Sequence, residues 1–252
     1  MRTAIITGAS SGLGRELAHQ IARTFPEVEC FWLIARREGR LRELSGELGA
    51  RKIYSMSLDL CDEKSFETLA EQLREERPEI TLLVNNAGCG YLGNVDETPL
   101  ERQTTMTKLN VTALTAMTRL CLDYMPRGAR ILNISSIASF CPNPRLTVYS
   151  ATKYYVSAYS RSLGVELKNR GITVTAVCPG PMATEFLEVG GITGNSPQFE
   201  RLPYCDPKKV ARGAVQAARA GRAVYTPTAF YKFYRLAAKV VPQRWMIKAT
   251  GT

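Results

Sequence analysis

Short apolar runs alternate along the chain with longer stretches in which apolar positions recur at helical spacing. The first run, Thr-Ala-Ile-Ile-Thr at 3–7, is β-branched and uncharged, as a strand buried on both faces requires. Further strands are predicted near 29–35, 52–57, 81–85, 130–135, 172–178 and 222–226, and helices near 12–24, 38–48, 63–76, 99–124, 148–169 and 207–219. Strict alternation of strand and helix predicts an α/β fold: a doubly wound parallel sheet of about seven strands, with right-handed crossovers and helices on both faces. No internal repeat, low-complexity segment or linker divides residues 1–252, so the chain reads as a single domain. Ligands of such sheets bind at the carboxyl ends of the strands, beside the point where the strand order reverses.

Between the first strand and the first helix lies Gly8-Ala9-Ser10-Ser11-Gly12-Leu13-Gly14. Glycines there permit a tight turn and close backbone approach. The helix that follows offers free N–H groups and the positive end of its dipole, which together suit a dinucleotide pyrophosphate. The spacing is Gly-x-x-x-Gly-x-Gly, and no Gly-Lys-Ser/Thr follows, so it is not a P-loop.

Tyr149 and Lys153 are four residues apart, on one face of a predicted helix. A phenol titrates near pH ~10, and a cation beside it favours the phenolate, which would bring its pKa toward the working range. With these features in hand, the chain resembles the short-chain dehydrogenase/reductase family over nearly its whole length. The resemblance rests on Thr7-Gly8-x-x-x-Gly12-x-Gly14, Asp59-Leu60, Asn85-Asn86-Ala87-Gly88, Asn110, Ser136, Tyr149-x-x-x-Lys153 and Pro179-Gly180, in order and in register. It implies a Rossmann fold and an oxidoreductase that moves hydride between nicotinamide and a carbonyl or alcohol. It also implies roles: Tyr149 as general acid/base, Lys153 lowering its pKa and holding the ribose, Ser136 binding the substrate oxygen, and Asn110 breaking the helical bonding of 99–124 with its side chain and positioning a relay water. Ser136 is chosen over Ser135 because it lies at the family's offset of thirteen residues from Tyr149. On the cofactor side the resemblance assigns Gly8 to Gly14 (Ser10, Ser11 and Leu13 included), Asp59 and Leu60 near adenine, and Asn86-Ala87-Gly88 on the adenosine side. Pro179, Gly180, Met182 and Thr184 fall in the segment that borders nicotinamide.

Cofactor choice is read at the end of the second strand, where Arg36 and Arg37 stand in place of an acid. A carboxylate there would bind ribose hydroxyls and repel a 2′-phosphate, whereas a guanidinium can clamp the phosphate bidentately, so NADP(H) is predicted.

Composition narrows the alternatives. With 33 basic and 23 acidic residues the net charge is +10, but no nucleic-acid recognition motif accompanies it. Seven scattered cysteines without Cys-x-x-Cys argue for a reduced cytoplasmic protein and against a zinc site or disulfide framework, so no metal is expected. The single histidine, His19, excludes a Ser-His-Asp hydrolase. The apolar run at residue 3 leads straight into the glycine turn and is not read as a secretory leader, and no membrane span is expected.

The substrate is expected to be a small hydrophobic carbonyl or alcohol, such as a steroid, fatty-acyl or aromatic ketone. Residues 185–205 should form a mobile apolar lid, with Phe186, Leu187, Val189, Ile192, Phe199 and Leu202 on a chain jointed by Gly190, Gly191 and Gly194. Phe140, Pro142, Pro144 and Leu146 are expected as a second apolar wall. The Pro-x-Pro before Tyr149 resembles hydroxysteroid and long-chain ketoacyl reductase branches; 3-oxoacyl-thioester reduction is the rival activity, and a non-catalytic NADP-sensing regulator the rival of another class. The resemblance implies a homodimer or homotetramer, for which Thr104, Met106, Leu109, Leu114, Met117, Tyr155, Tyr159 and Leu163 are candidate surface. From Arg222 to Thr252 there are six basic residues and no acid. The amphipathic segment 227–252 therefore reads as a helix covering the pocket or a partner subunit, or as a peripheral contact with an anionic membrane.

Overall fold

The computed structural model describes residues 1–196 and 201–249. Seven strands form one sheet: β1 (Arg2–Thr7), β2 (Cys30–Ala35), β3 (Lys52–Ser57), β4 (Glu79–Asn85), β5 (Arg130–Ile134), β6 (Thr173–Val177) and β7 (Val224–Tyr225). Their order is β3-β2-β1-β4-β5-β6-β7, and every neighbouring pair is parallel. The order reverses between β1 and β4, so the carboxyl ends of those two strands open the crevice.

The helices are α1 (Gly12–Thr24), α2 (Glu38–Glu47), α3 (Glu63–Glu76), α4 (Leu100–Thr107), α5 (Leu114–Leu122), α6 (Thr147–Glu166), α7 (Glu185–Val189), α8 (Pro207–Arg219), α9 (Ala229–Val240) and α10 (Gln243–Ala249). β2 shows how the layers are made. Phe31 and Leu33 pack with α1, α8 and α9 residues such as Leu17, Ile21, Val215 and Tyr231. Trp32 and Ile34 point the other way, among Leu69, Met117 and Leu163 of α3, α5 and α6. The period of two divides a continuous apolar strand between two cores, and each fully buried side chain of this size contributes about 1.5–3 kcal/mol.

The helix expected over 99–124 is one rod with a break in its bonding, since a π-helical turn, Lys108–Ala113, separates α4 from α5. The last strand is shorter than expected, at two residues.

Polar side chains tie the second half of the sheet to its helices. Asn85 Nδ2 donates to Asn133 Oδ1 at 2.8 Å and to Thr118 Oγ1 at 3.0 Å, and Asn133 Nδ2 donates to Ser160 Oγ at 3.0 Å. All four side chains are buried, so the bonds link β4, β5, α5 and α6 where water cannot substitute.

Candidate active site

The glycine turn is shaped by two left-handed residues, Gly8 at φ +65° and Gly12 at φ +52°, a region that side chains disfavour. A Cβ on Gly14 would lie 2.2 Å from the Gly8 carbonyl oxygen, so α1 passes closer to the turn than any side chain permits. Asp62 caps α3 and Asp206 caps α8, but the first turn of α1 has neither a side-chain cap nor an acid. Its N–H groups and dipole are left for an external anion.

Asn86, at the end of β4, holds the turn from the other side. Its Nδ2 donates to the carbonyls of Thr7 and Gly8 at 3.0 and 3.1 Å, and Thr7 Oγ1 accepts from the backbone N–H of Asn86 and Ala87. The carboxyl ends of β1 and β4 are thereby fixed together across the switch point.

Asn110 lies in the π-helical turn and is buried. Its amide makes two reciprocal bonds with Cys89: Cys89 N–H donates to Oδ1 at 2.9 Å, and Nδ2 donates to the Cys89 carbonyl at 2.8 Å. Nδ2 also donates to Thr152 Oγ1 at 3.0 Å, joining the loop after β4 to α6. Gly88 lies against this fork, since a Cβ there would be 3.0 Å from Asn110 Oδ1.

Ser136 follows β5 and opens a 3-10 turn, where its Oγ accepts from Ala138 N–H at 3.1 Å and stands near enough to Tyr149 to hold the phenol's pKa down. Ser135 faces inward instead, donating to the Lys153 carbonyl at 2.9 Å and pairing with Ser157 at 3.0 Å. Ser157 donates to Ser139, which donates to the Ser136 carbonyl at 2.7 Å. Ser135, the neighbour of Ser136, thus belongs to a chain of hydroxyls that fixes the turn.

The geometry departs from expectation at the Tyr149–Lys153 pair. Lys153 Nζ lies 5.6 Å from the Tyr149 ring centre and donates to the Ile134 carbonyl at 2.9 Å. Enclosure pushes the phenol up to about 12, opposed by Ser136, and pushes the ammonium down to about 8. The lowering of the tyrosine by the lysine is therefore absent from this arrangement. Desolvation is the largest influence on both groups.

At the end of β2, Arg36 is largely exposed, 4.0 Å from Asp59. Arg37 donates to Ser10 Oγ at 3.3 Å and to Glu185 at 2.8 Å; Arg40, on α2, donates to the other oxygen of Glu185 at 2.5 Å. Both guanidiniums hold the Glu185 carboxyl below its ordinary range. Asp59 accepts from Cys61 N–H at 3.0 Å, and Leu60 is buried.

The segment after β6 crosses the mouth of the crevice. Thr184 packs at 3.4 Å from where a Gly12 Cβ would be, and Phe186 tilts against Tyr149 with ring centres 5.7 Å apart. Met182 packs on the core, and Leu187 and Ile192 are buried, whereas Val189 points to solvent. Phe199 lies outside the described residues. The expected second wall is only partly one: Phe140 is buried in the core, where Arg235 of α9 stacks on its ring, and Pro144 is exposed. Pro179 accepts from Ile137 N–H at 3.0 Å. Gly180 is required by Tyr231 of α9, since a Cβ there would be 2.2 Å from that ring. Of the proposed subunit surface, Met106, Leu114, Met117 and Leu163 are spent on the chain's own interior; Tyr155 and Tyr159 stack at the surface, 5.6 Å between centres.

Sequence reasoning brought together Asn110, Ser136, Tyr149 and Lys153, and they are neighbours. It missed Cys89, Ser139, Thr152 and Ser157, which hold them, and Arg40 and Glu185. For the hydroxyls the available signal was the helical spacing of Thr152 and Ser157 around Lys153.

The model of short chain dehydrogenases matches residues 2–190 of the chain. This protein is a short-chain dehydrogenase. It is 35% identical over 190 residues to sulfoacetaldehyde reductase 2 of Chromohalobacter salexigens, covering 72% of this chain and 73% of that protein. To the very-long-chain 3-oxoacyl-CoA reductase of Anas platyrhynchos it is 32% identical over 220 residues, 84% of this chain and 67% of the other. The structure of a short-chain dehydrogenase from Sphingobium yanoikuyae in complex with NADPH superposes with a TM-score of 0.82 at 28% identity, over 98% of this chain and 95% of that one. The dehydrogenase therefore has the expected doubly wound fold and belongs to the oxidoreductase family that its motifs indicate.

Proposed function

We propose that this dehydrogenase is an NADP(H)-dependent carbonyl reductase or alcohol dehydrogenase acting on a hydrophobic ketone or secondary alcohol. One observation carries the reading: Ser136 is near enough to the Tyr149 phenol to lower its pKa, and both stand beside buried Lys153, under the ring of Phe186. Two adjoining hydroxyls suit a carbonyl oxygen, which would accept from both.

The residues present fit NADP(H), as the NADPH-bound relative supports. The uncapped start of α1 and the turn from Gly8 to Gly14 would hold the pyrophosphate, and Arg36 and Arg37 the 2′-phosphate. Asp59 and Leu60 would border adenine, Asn86-Ala87-Gly88 the adenosine side, and Pro179, Gly180, Met182 and Thr184 the nicotinamide. When bound, the cofactor supplies or accepts hydride. Tyr149 then gives its proton to the developing alkoxide while Ser136 holds that oxygen. With its pKa near 12 the phenol carries its proton throughout the physiological range, and catalysis as an acid requires the pKa to fall toward the working pH when cofactor and substrate bind. Lys153 spends one N–H on Ile134 and has others for the ribose. Asn110, which braces Cys89 in this structure, is assigned the water that resupplies Tyr149.

Turnover of NADPH over a panel of steroid, aromatic and acyl-thioester ketones tests this reading. Tyr149→Phe should lower kcat about 10²–10⁴-fold with NADPH binding retained. Preference for thioesters, in line with the relative from Anas platyrhynchos, would install the rival activity. Tight NADPH binding without turnover would indicate a sensor.

Two partner proposals accompany it. The stack of exposed Tyr155 on half-buried Tyr159 of α6, with exposed Thr104 and half-buried Leu109, is the candidate for a homodimer or homotetramer contact. On α9, Tyr231 and Tyr234 face the protein, so it is Phe233 (71% exposed) and Val240 (74% exposed) that face solvent, flanked by Lys232 and Lys239. Apolar side chains among cations suit an anionic membrane better than a second like-charged copy. No helix among the described residues is long and apolar enough to cross a membrane. Sedimentation with anionic but not zwitterionic vesicles, weakened by Phe233→Ser, is expected; failure to sediment at low salt would end the idea.

A further inference from the structure

Three consecutive lid residues contact three parts of the cleft. Thr184 lies over Gly12 of the glycine turn, Glu185 joins Arg37 and Arg40, and Phe186 covers Tyr149. The middle contact is the unusual one. Each carboxylate oxygen of Glu185 takes a different guanidinium, and Arg37 also bonds Ser10 of the glycine turn. This is the arrangement a phosphate would seek, a dianion's worth of donors at the carboxyl end of β2, already occupied by an anion of the chain itself.

We propose that Glu185 is a resident mimic of the cofactor's 2′-phosphate, that Arg40 is a second phosphate-binding residue beside Arg37, and that NADP(H) displaces Glu185 from both and so releases the lid. The inference rests on the NADP(H) reading above and deepens it. Glu185 is the first residue of α7, a helix of five residues that is otherwise tied down by buried Leu187 and by the bond from Leu92 N–H to the Gly190 carbonyl at 2.9 Å. Removing its ion pairs frees the amino end of the lid next to Phe186, the residue that shields the reacting hydroxyls. NAD(H) has no group that competes with Glu185 and would leave the lid down. Discrimination between the two cofactors then has two parts, affinity for the phosphate and access to Tyr149. Both pairs are solvent-accessible, so exchange of one anion for another involves little reorganisation.

The probe is 2′,5′-ADP, with ADP as its control, because it carries the phosphate without the nicotinamide that could itself touch the lid. Hydrogen exchange of the amides in 184–192 should speed up when 2′,5′-ADP binds the full chain and stay unchanged with ADP. Glu185→Gln should show the fast exchange without any ligand and bind 2′,5′-ADP about fivefold more tightly, the scale of two exposed ion pairs. Arg40→Gln should also exchange fast, yet bind 2′,5′-ADP more weakly. Protection of 184–192 by 2′,5′-ADP, or equal affinity in wild type and Glu185→Gln, would overturn the proposal while leaving NADP(H) binding intact. If neither protein binds 2′,5′-ADP at all, the cofactor reading falls and takes the proposal with it.

Discussion

The two walls of the cleft are built by different physics. The wall formed by β4, β5 and α6 holds its reactive groups with buried side-chain bonds: Asn85 to Asn133 to Ser160, Asn110 to Cys89 and Thr152, Ser135 to Ser157 to Ser139. The wall formed by the lid rests on Glu185, whose partners are half-exposed, on one half-buried aromatic contact, and on Leu187 and Ile192 beneath. Unsatisfied partners are costly in the first and cheap in the second, because water can replace a surface bond but not an interior one. On the proposed function, chemistry belongs to the wall tied by buried bonds and selection to the wall tied by exposed ones.

Substitutions at the two walls should differ accordingly. Asn133→Ala takes one buried partner from each of Asn85 and Ser160 and leaves a cavity between them, and should cost about 3–5 kcal/mol, lowering the melting temperature by roughly 10 °C. A loss within a degree or two would mean that the buried bonds contribute little and that packing alone holds the wall.

Next in size is the titration of Lys153. Burial lowers its pKa to about 8 from 10.5, so between these values the unfolded chain binds the proton that the native protein has shed. Stability from this group therefore rises with pH across that window, by as much as about 3 kcal/mol, and below it the full cost of the buried charge is present. Other groups titrate in the same range, so the difference between wild type and Lys153→Met isolates it. Chemical denaturation at pH 7 and pH 10 should show the methionine variant ahead at the lower pH and its advantage shrinking at the higher. A constant difference would place the ammonium in water.

The smallest effect belongs to the lid. Phe186→Ala uncovers Tyr149 and removes a half-buried ring, which should change stability by about 1 kcal/mol or less. Its mark should be kinetic, a KM for bulky ketones raised severalfold with kcat little altered. A fall in kcat comparable to that of Tyr149→Phe would move Phe186 from cover to machinery.

Much of the fold was legible because its signals are local. The runs at 3–7 and 52–57 gave strands at nearly the same residues, and 63–76 and 207–219 gave α3 and α8 to the residue, since Asp62 and Asp206 mark their starts. Other features were not legible for a reason that differs case by case. The π-helical turn at Lys108–Ala113 is invisible to periodicity and was marked only by the family resemblance at Asn110, because its bonds to Cys89 reach twenty-one residues away. β7 is two residues long because only Ala176 and Val177 of β6 offer it a register. The wall expected from Phe140 went to the core, since apolar character says that a residue is buried but not on which side.

The chain's own sequence determined the order of strands and helices, the glycine turn, and the identity of the groups that can move a proton. Periodicity, turn chemistry and functional-group chemistry are properties of a residue and its near neighbours. Tertiary structure alone decided that enclosure raises Tyr149 rather than letting Lys153 lower it, and that Glu185 reaches back across 148 positions to Arg37. Electrostatic energy depends on distance and solvent exposure, and neither exists until the chain has folded.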